Sequence, residues 1–159
     1  MTARAGVAMT VEAAFTDLVE RVEPRLRVAL VSRYGPERGR EAAAEALAWA
    51  WEHRDKMDRL RNPVAYLYRV GQSKTRPRLR PRPWVDPPRR EPPWVEPALP
   101  SALAGLPLRQ RMAVVLVHAY GWTQAEAAAV MGIRAGTVKT HLDRGLARLR
   151  ADLEVDADA

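Results

Sequence analysis

The chain has 159 residues, with 26 Lys and Arg against 19 Asp and Glu for a formal charge of +7, 13 prolines and no cysteine. That length suits one larger domain or two small ones, and the positive charge favours an acidic partner, either nucleic acid or an anionic membrane surface. Without cysteine there is no disulfide and no thiolate metal site; no apolar run approaches the roughly 20 residues of a membrane span, and the opening MTARAGVAMT lacks the apolar core of a secretory signal, so a cytoplasmic chain with no membrane association is expected.

The N-terminal part predicts three helical segments. Thr10 is placed to cap the first, whose stripe of Val11, Phe15, Leu18, Val19 and Val22 resumes as Leu26, Leu30 and Tyr34 after a kink or break at Pro24. A turn at Tyr34-Gly35-Pro36 follows, with Pro36 suited to a first helical position. The second helix is expected to turn Ala43, Leu47 and Trp51 inward and to run to about His53. Asn62-Pro63 is a cap and first-turn signal for the third, VAYLYRVGQSKTR, which grows basic towards its end. Two readings stay open for Trp49, Trp51, Tyr66 and Tyr68: aromatics at helical spacing fill cores, and they also stack on unpaired bases in single-strand binders.

Nine of the 13 prolines then fall between Pro77 and Pro100, where no helix persists. The segment predicts an extended, partly polyproline-II linker. Ser73 to Arg90 holds seven basic residues against one acidic one, and the run from Lys74 to Arg82 is placed either as a solvated linker or along a nucleic-acid backbone. Trp84 and Trp94 have no packing pattern around them.

Beyond the linker, Thr123 and Glu126 are spaced as a capping box that starts a helix. Its alanine-rich body stops at Gly132, which supplies the left-handed conformation of a helix C-terminus. A second helix follows almost at once. Val138, Leu142, Leu146, Leu149 and Leu153 form its apolar stripe, whereas Thr137, Lys139, Thr140, His141, Arg144 and Arg148, with Arg134 in the turn before them, are candidates for phosphate and base contacts. No long alternating strand pattern occurs, so the expected class is all-α: two small helical domains, residues 10–76 and 101–154, joined by a Pro-rich linker, residues 77–100.

Leu106-Pro107, Arg111, Thr123-Gln124-Ala125-Glu126-Ala127-Ala128, Met131-Gly132-Ile133, Gly136-Thr137-Val138-Lys139-Thr140-His141-Leu142 and Leu149-Arg150 together resemble region 4, the DNA-binding domain of sigma-70 family factors, most closely the short extracytoplasmic-function (ECF) type. Phe15 with Leu18, Pro24-Arg25-Leu26, Glu41 to Trp51, and Asn62-Pro63 with Tyr66-Leu67-Tyr68-Arg69-Val70 resemble region 2 of the same family. The resemblance implies an initiation factor that binds core RNA polymerase and promoter DNA, region 4 reading the upstream element and region 2 aiding strand opening. It also implies an inhibitory anti-sigma protein as a further partner. It makes Tyr66, Tyr68, Arg69, Lys74 and Arg76 candidates for promoter melting. Where many members carry an acidic Asp-Leu-Val-Gln-Glu type of sequence, this chain has Glu41-Ala42-Ala43-Ala44-Glu45-Ala46-Leu47, so the polymerase-binding candidates reduce to Glu41, Glu45 and Glu52.

Enzyme readings find no foothold. His53, His118 and His141 are isolated, no metal-ligand spacing or phosphate loop occurs, and Ser32, Ser73 and Ser101 lack a nucleophile motif; no cofactor and no metal are expected. The rival readings are a stand-alone helix-turn-helix regulator and a protein-interaction module.

Overall fold

In the computed structural model, residues 2–75 and 98–157 are described, and they form helices and connecting turns with no strand among them. In chain order these are α1 (Thr2–Tyr34), α2 (Pro36–Glu52), a short α3 (Arg54–Met57), α4 (Pro63–Thr75), α5 (Leu99–Gly105), α6 (Leu108–Val114), a π-helical turn (Val115–Ala119), α7 (Gln124–Met131) and α8 (Ala135–Ala157). The all-α expectation holds. Most of the predicted linker, with Arg76, Trp84 and Trp94, lies outside the described residues. Its predicted end at Pro100 falls inside the first turn of α5.

The first helix departs from its sequence reading. It begins at Thr2 rather than at Thr10 and passes through Pro24 without a break. A mid-helix proline removes one backbone hydrogen bond and costs about 3 kcal/mol, but Val22, Leu26, Ala29 and Leu30 on either side of it are buried. That burial holds the axis continuous across the proline.

Gly35, at φ 83°, ends α1 and turns the chain into α2, whose first helical position is Pro36 as expected. The two helices then cross very closely: a Cβ on Gly39 would stand 2.3 Å from the Cα of Val31. Only small residues fit such a crossing. The buried stripe of α2 is accordingly Gly39, Ala42, Ala43, Ala46 and Ala50, which leaves Leu47 half-buried and turns Trp51 to the surface, 41% exposed. The inward placement expected for Trp51 is therefore overturned. Its ring instead meets Phe15 edge-on at 5.0 Å and lies beneath the Arg54 guanidinium at 4.9 Å.

The cap of α4 is the one its sequence signals: the Asn62 side-chain carbonyl accepts a hydrogen bond from the Ala65 N–H at 3.0 Å. The helix packs on both α1 and α2, and a Cβ on Gly71 would meet Leu30 Cδ1 at 3.0 Å and the Ala42 carbonyl at 3.1 Å. In the C-terminal unit α8 is the spine, packed against α5, α6 and α7. The two units touch: α1 lies against α6 and the π turn, and α4 against α7. Their buried side chains form one continuous apolar cluster.

Candidate nucleic-acid interface

The C-terminal helix pair is built by its caps. Thr123 Oγ1 accepts the Glu126 N–H at 3.2 Å while Glu126 Oε2 accepts the Thr123 N–H at 2.9 Å, the reciprocal box the spacing predicts. These bonds, with Arg25 alongside, hold the Glu126 carboxyl below the usual carboxylate range. Gly132 ends α7 in the left-handed region at φ 66°, ψ 36°. Two N–H groups, those of Thr137 and Val138, close on the Arg134 carbonyl at 2.9 and 3.1 Å to start α8.

Val138, Leu142 and Leu149 on α8 are buried, and Leu146 and Leu153 half-buried. On the side facing away, Thr137, Thr140, Arg144 and Arg148 are exposed and His141 is half-buried, the set recurring at three- and four-residue steps along one face. Arg134 is exposed in the turn that leads into it. Thr140 donates its hydroxyl to the Gly136 carbonyl at 3.1 Å. His141 Nδ1 is enclosed without a hydrogen-bond partner, which leaves Nε2 as its nitrogen for an outside ligand. Lys139 is set apart from that face by its helical position and bonds Asp143 at 2.9 Å. The carboxylate raises the Lys139 ammonium above its ordinary value.

In the N-terminal unit, Glu41, Glu45 and Glu52 are all exposed and share one outward face of α2, at steps of four and seven residues. Tyr66 is 36% exposed, as are Arg69 and Lys74 by class. Tyr68 is not available in the same way. At 1% exposure it is among the most deeply buried side chains, its hydroxyl directed at Met112 Sδ of the other unit, 3.9 Å away. Burial pushes its phenol up to about 12, against the pull of the neighbouring Arg33 guanidinium. In this arrangement the melting candidates in the open are Tyr66, Arg69 and Lys74.

Residues 97–149 match the family model for sigma-70, region 4. The chain is 48% identical over 62 residues to the RNA polymerase sigma-E factor of Streptomyces antibioticus, covering 38% of this chain and 34% of that protein. It is 43% identical over 56 residues to the ECF RNA polymerase sigma factor EcfG of Rhodopseudomonas palustris, covering 35% and 31%. These matches span about a third of the length of the curated relatives. Solved structures extend the likeness to both units. A complex of the sigma factor RpoE with the anti-sigma factor NepR from Bartonella quintana matches with TM-score 0.66 and 25% identity, over 90% of this chain and 98% of that one. CnrH, solved with the cytosolic domain of CnrY, matches with TM-score 0.62 and 29% identity over 93% and 91%.

Residues 97–149 are thus a sigma-70 region 4 segment, and the chain as a whole is similar to sigma factors of the ECF type. The region 4 match includes the helix pair described above, and on one face of α8 and the turn before it stand the side chains the sequence marks out, Lys139 excepted.

Sequence reasoning missed one cluster in the N-terminal unit. Trp49 stacks on His53 at 4.0 Å and leans on Tyr66 at 5.7 Å, with His53 Nδ1 held 2.9 Å from the Trp49 carbonyl. The segment from α2 to α4 beside it exposes Arg54, Lys56, Arg59 and Arg61. The signal was present as Trp49 and His53 four residues apart, but their joining to Tyr66 depends on how α4 lies across α2.

Proposed function

We propose that this chain is a transcription initiation factor that joins core RNA polymerase and directs it to promoters. Region 4 sets Thr137, Thr140, His141 and Arg144 against base edges of the upstream element, and Arg134 and Arg148 against phosphates. The N-terminal unit acts as region 2. Its acidic row Glu41, Glu45 and Glu52 meets polymerase, and the Tyr66–Trp49–His53 cluster with Arg69 and Lys74 engages the strand as it unpairs. No bond is made or broken on the chain, so it needs no cofactor; it lowers the cost of duplex opening through contacts that exist only when a strand is single. Its place is then the cytoplasm, and no described helix is long and apolar enough to cross a membrane. An anti-sigma protein is proposed as a further partner, because the likeness to RpoE in complex with NepR covers 90% of this chain.

The observation that carries the reading is the pairing, in one chain, of a cationic recognition face on α8 with an outward acidic row on α2. A stand-alone regulator has a use for the first and none for the second. The test is run-off transcription with permanganate mapping of unpaired thymines, using core polymerase with and without the chain. Opening should depend on the chain and be lost in both a Glu41→Ala/Glu45→Ala variant and an Arg144→Ala/Arg148→Ala variant. Tight, specific binding by the chain alone, with polymerase gaining nothing from it, would overturn the proposal in favour of the stand-alone regulator.

A further inference from the structure

Thr137 stands at the head of the recognition helix, in the sequence Arg134-Ala135-Gly136-Thr137. Its side chain is exposed, and so is that of Arg134, three positions before it. Of the ten serines and threonines in the chain, Thr137 is the one with a basic residue at that spacing. Its hydroxyl is loose as well. The exposed hydroxyls of Thr16, Ser101, Thr123 and Thr140 each donate to an oxygen within about one helical turn, at 2.9 to 3.1 Å, whereas no such bond ties Thr137 among the described residues. Packing does not call for the glycine beside it, since a Cβ on Gly136 would meet nothing within 4 Å. Glycine weakens a helix, so the first turn of α8, closed by the Thr137 and Val138 N–H bonds to the Arg134 carbonyl at 2.9 and 3.1 Å, opens locally at small cost.

We propose that Thr137 is a phosphorylation site for an arginine-directed serine/threonine kinase, and that the modification shuts the recognition face of α8 while leaving the fold intact. The proposal rests on the reading of α8 as the helix that contacts DNA. A kinase with an acidic substrate cleft holds the Arg134 guanidinium while the opened turn lies extended in it. The Thr137 hydroxyl oxygen attacks the γ-phosphorus of a nucleoside triphosphate. The new Oγ1–P bond forms as the bond from that phosphorus to the β–γ bridging oxygen breaks, the nucleoside diphosphate leaves, and the hydroxyl proton passes to a kinase carboxylate. The phosphate brings a charge of about −1.5 to −2. It stands in the row of Thr137, His141, Arg144 and Arg148, where it repels the DNA backbone, and Arg134, one turn away, pairs with it instead of with a phosphate of the duplex. As the third residue of α8, phosphorylated Thr137 places its charge where a helix tolerates anions, so α8 keeps its helix and its buried stripe.

The experiment uses the full chain, ATP and a purified serine/threonine kinase that selects arginine three residues before its acceptor, with the phosphate located by fragmentation mass spectrometry. Thr137 should be the site filled, and Arg134→Ala should slow its filling by about tenfold or more, because a charge-assisted contact to the kinase is lost. Phosphate found only on other residues, or filling of Thr137 that Arg134→Ala leaves unchanged, overturns the site. The modified chain is then titrated by fluorescence anisotropy against a labelled random-sequence duplex. If the added charge cancels two phosphate contacts, each worth about 0.9 log units per log unit of salt, affinity at about 0.1 M salt should fall roughly 60-fold and the salt slope should flatten by about 1.8. Thr137→Val, whatever its own affinity, should show no change after the same treatment. Full affinity in the modified chain overturns the switch, and so does a loss that comes with lost helicity by circular dichroism. Should the parent fail to bind the duplex at any salt, the DNA reading of α8 falls and the switch with it, while the mapping still decides whether Thr137 accepts phosphate.

Discussion

Asp143 is the one acid on the exposed surface of α8 between Gly136 and Arg150, and its carboxylate holds Lys139 at 2.9 Å. Asp143→Asn removes a negative charge from beside a polyanion and releases the Lys139 ammonium for a phosphate. Each phosphate newly neutralised steepens the fall of log affinity with log salt by about 0.9. Between 50 and 200 mM salt one such contact changes affinity by about 3.5-fold, so the gain over the parent should be some 3.5 times larger at the lower concentration. Because phosphates carry no sequence information, the gain should be the same on promoter and on unrelated duplex. Arg148→Ala is the mirror image, lowering affinity on all sequences and flattening the slope by about 0.9. The assay is fluorescence anisotropy of labelled duplexes titrated at several salt concentrations. A parallel slope for Asp143→Asn would mean that Lys139, already set apart from the face shared by Thr137, His141, Arg144 and Arg148, touches no phosphate even when released. A gain confined to promoter sequence would mean that Asp143 itself reads a base.

The tight crossing of α1 and α2 makes Gly39→Ala costly: the new methyl would meet the Val31 backbone at 2.3 and 2.5 Å, which cannot rotate away, and a loss of about 3 kcal/mol or more in urea unfolding is expected. Gly145→Ala, whose nearest conflict is a Val114 side-chain methyl at 2.8 Å, should cost visibly less; equal losses would refute the distinction between backbone and side-chain crowding. His141→Arg replaces a single ring nitrogen with a fork of donors and should shift selectivity towards guanine at one base pair by about 1–3 kcal/mol, read by selection from randomised promoters; an unchanged motif would remove His141 from base reading. The Glu126 carboxyl is held down by the Thr123 cap and Arg25, so its contribution to the start of α7 and to the contact between the units is present at neutral pH. It should fade only as pH falls through a value below the ordinary carboxylate range. Energy transfer between the units followed by acid titration should show that loss, and Glu126→Gln should erase it.

What could be read from the sequence follows from how far apart the cooperating residues stand. The caps of α7, the left-handed Gly132 and the stripe of α8 each involve residues within a few positions of one another, and all stand as their spacing predicts. So does the Asn62 cap of α4. The misreadings arise where a distant neighbour decides. Pro24 signals a kink or break by local rules, yet α1 runs on through it without a break, with Val22 and Leu26 buried on either side. Trp51 satisfies a helical stripe with Ala43 and Leu47, but the crossing at Gly39 and Val31 admits only the alanine face. Tyr66 and Tyr68 are alike as sequence, two aromatics two positions apart on α4. The structure separates them because Met112, 44 positions further on, closes over one and leaves the other in the open. The same contact explains why the composition break at the prolines was an incomplete guide. It marks where helix must stop, but it is silent on whether the helices either side of it meet, and here Arg25 meets Trp122 and Glu126 while the Tyr68 side of α4 is closed off by Met112.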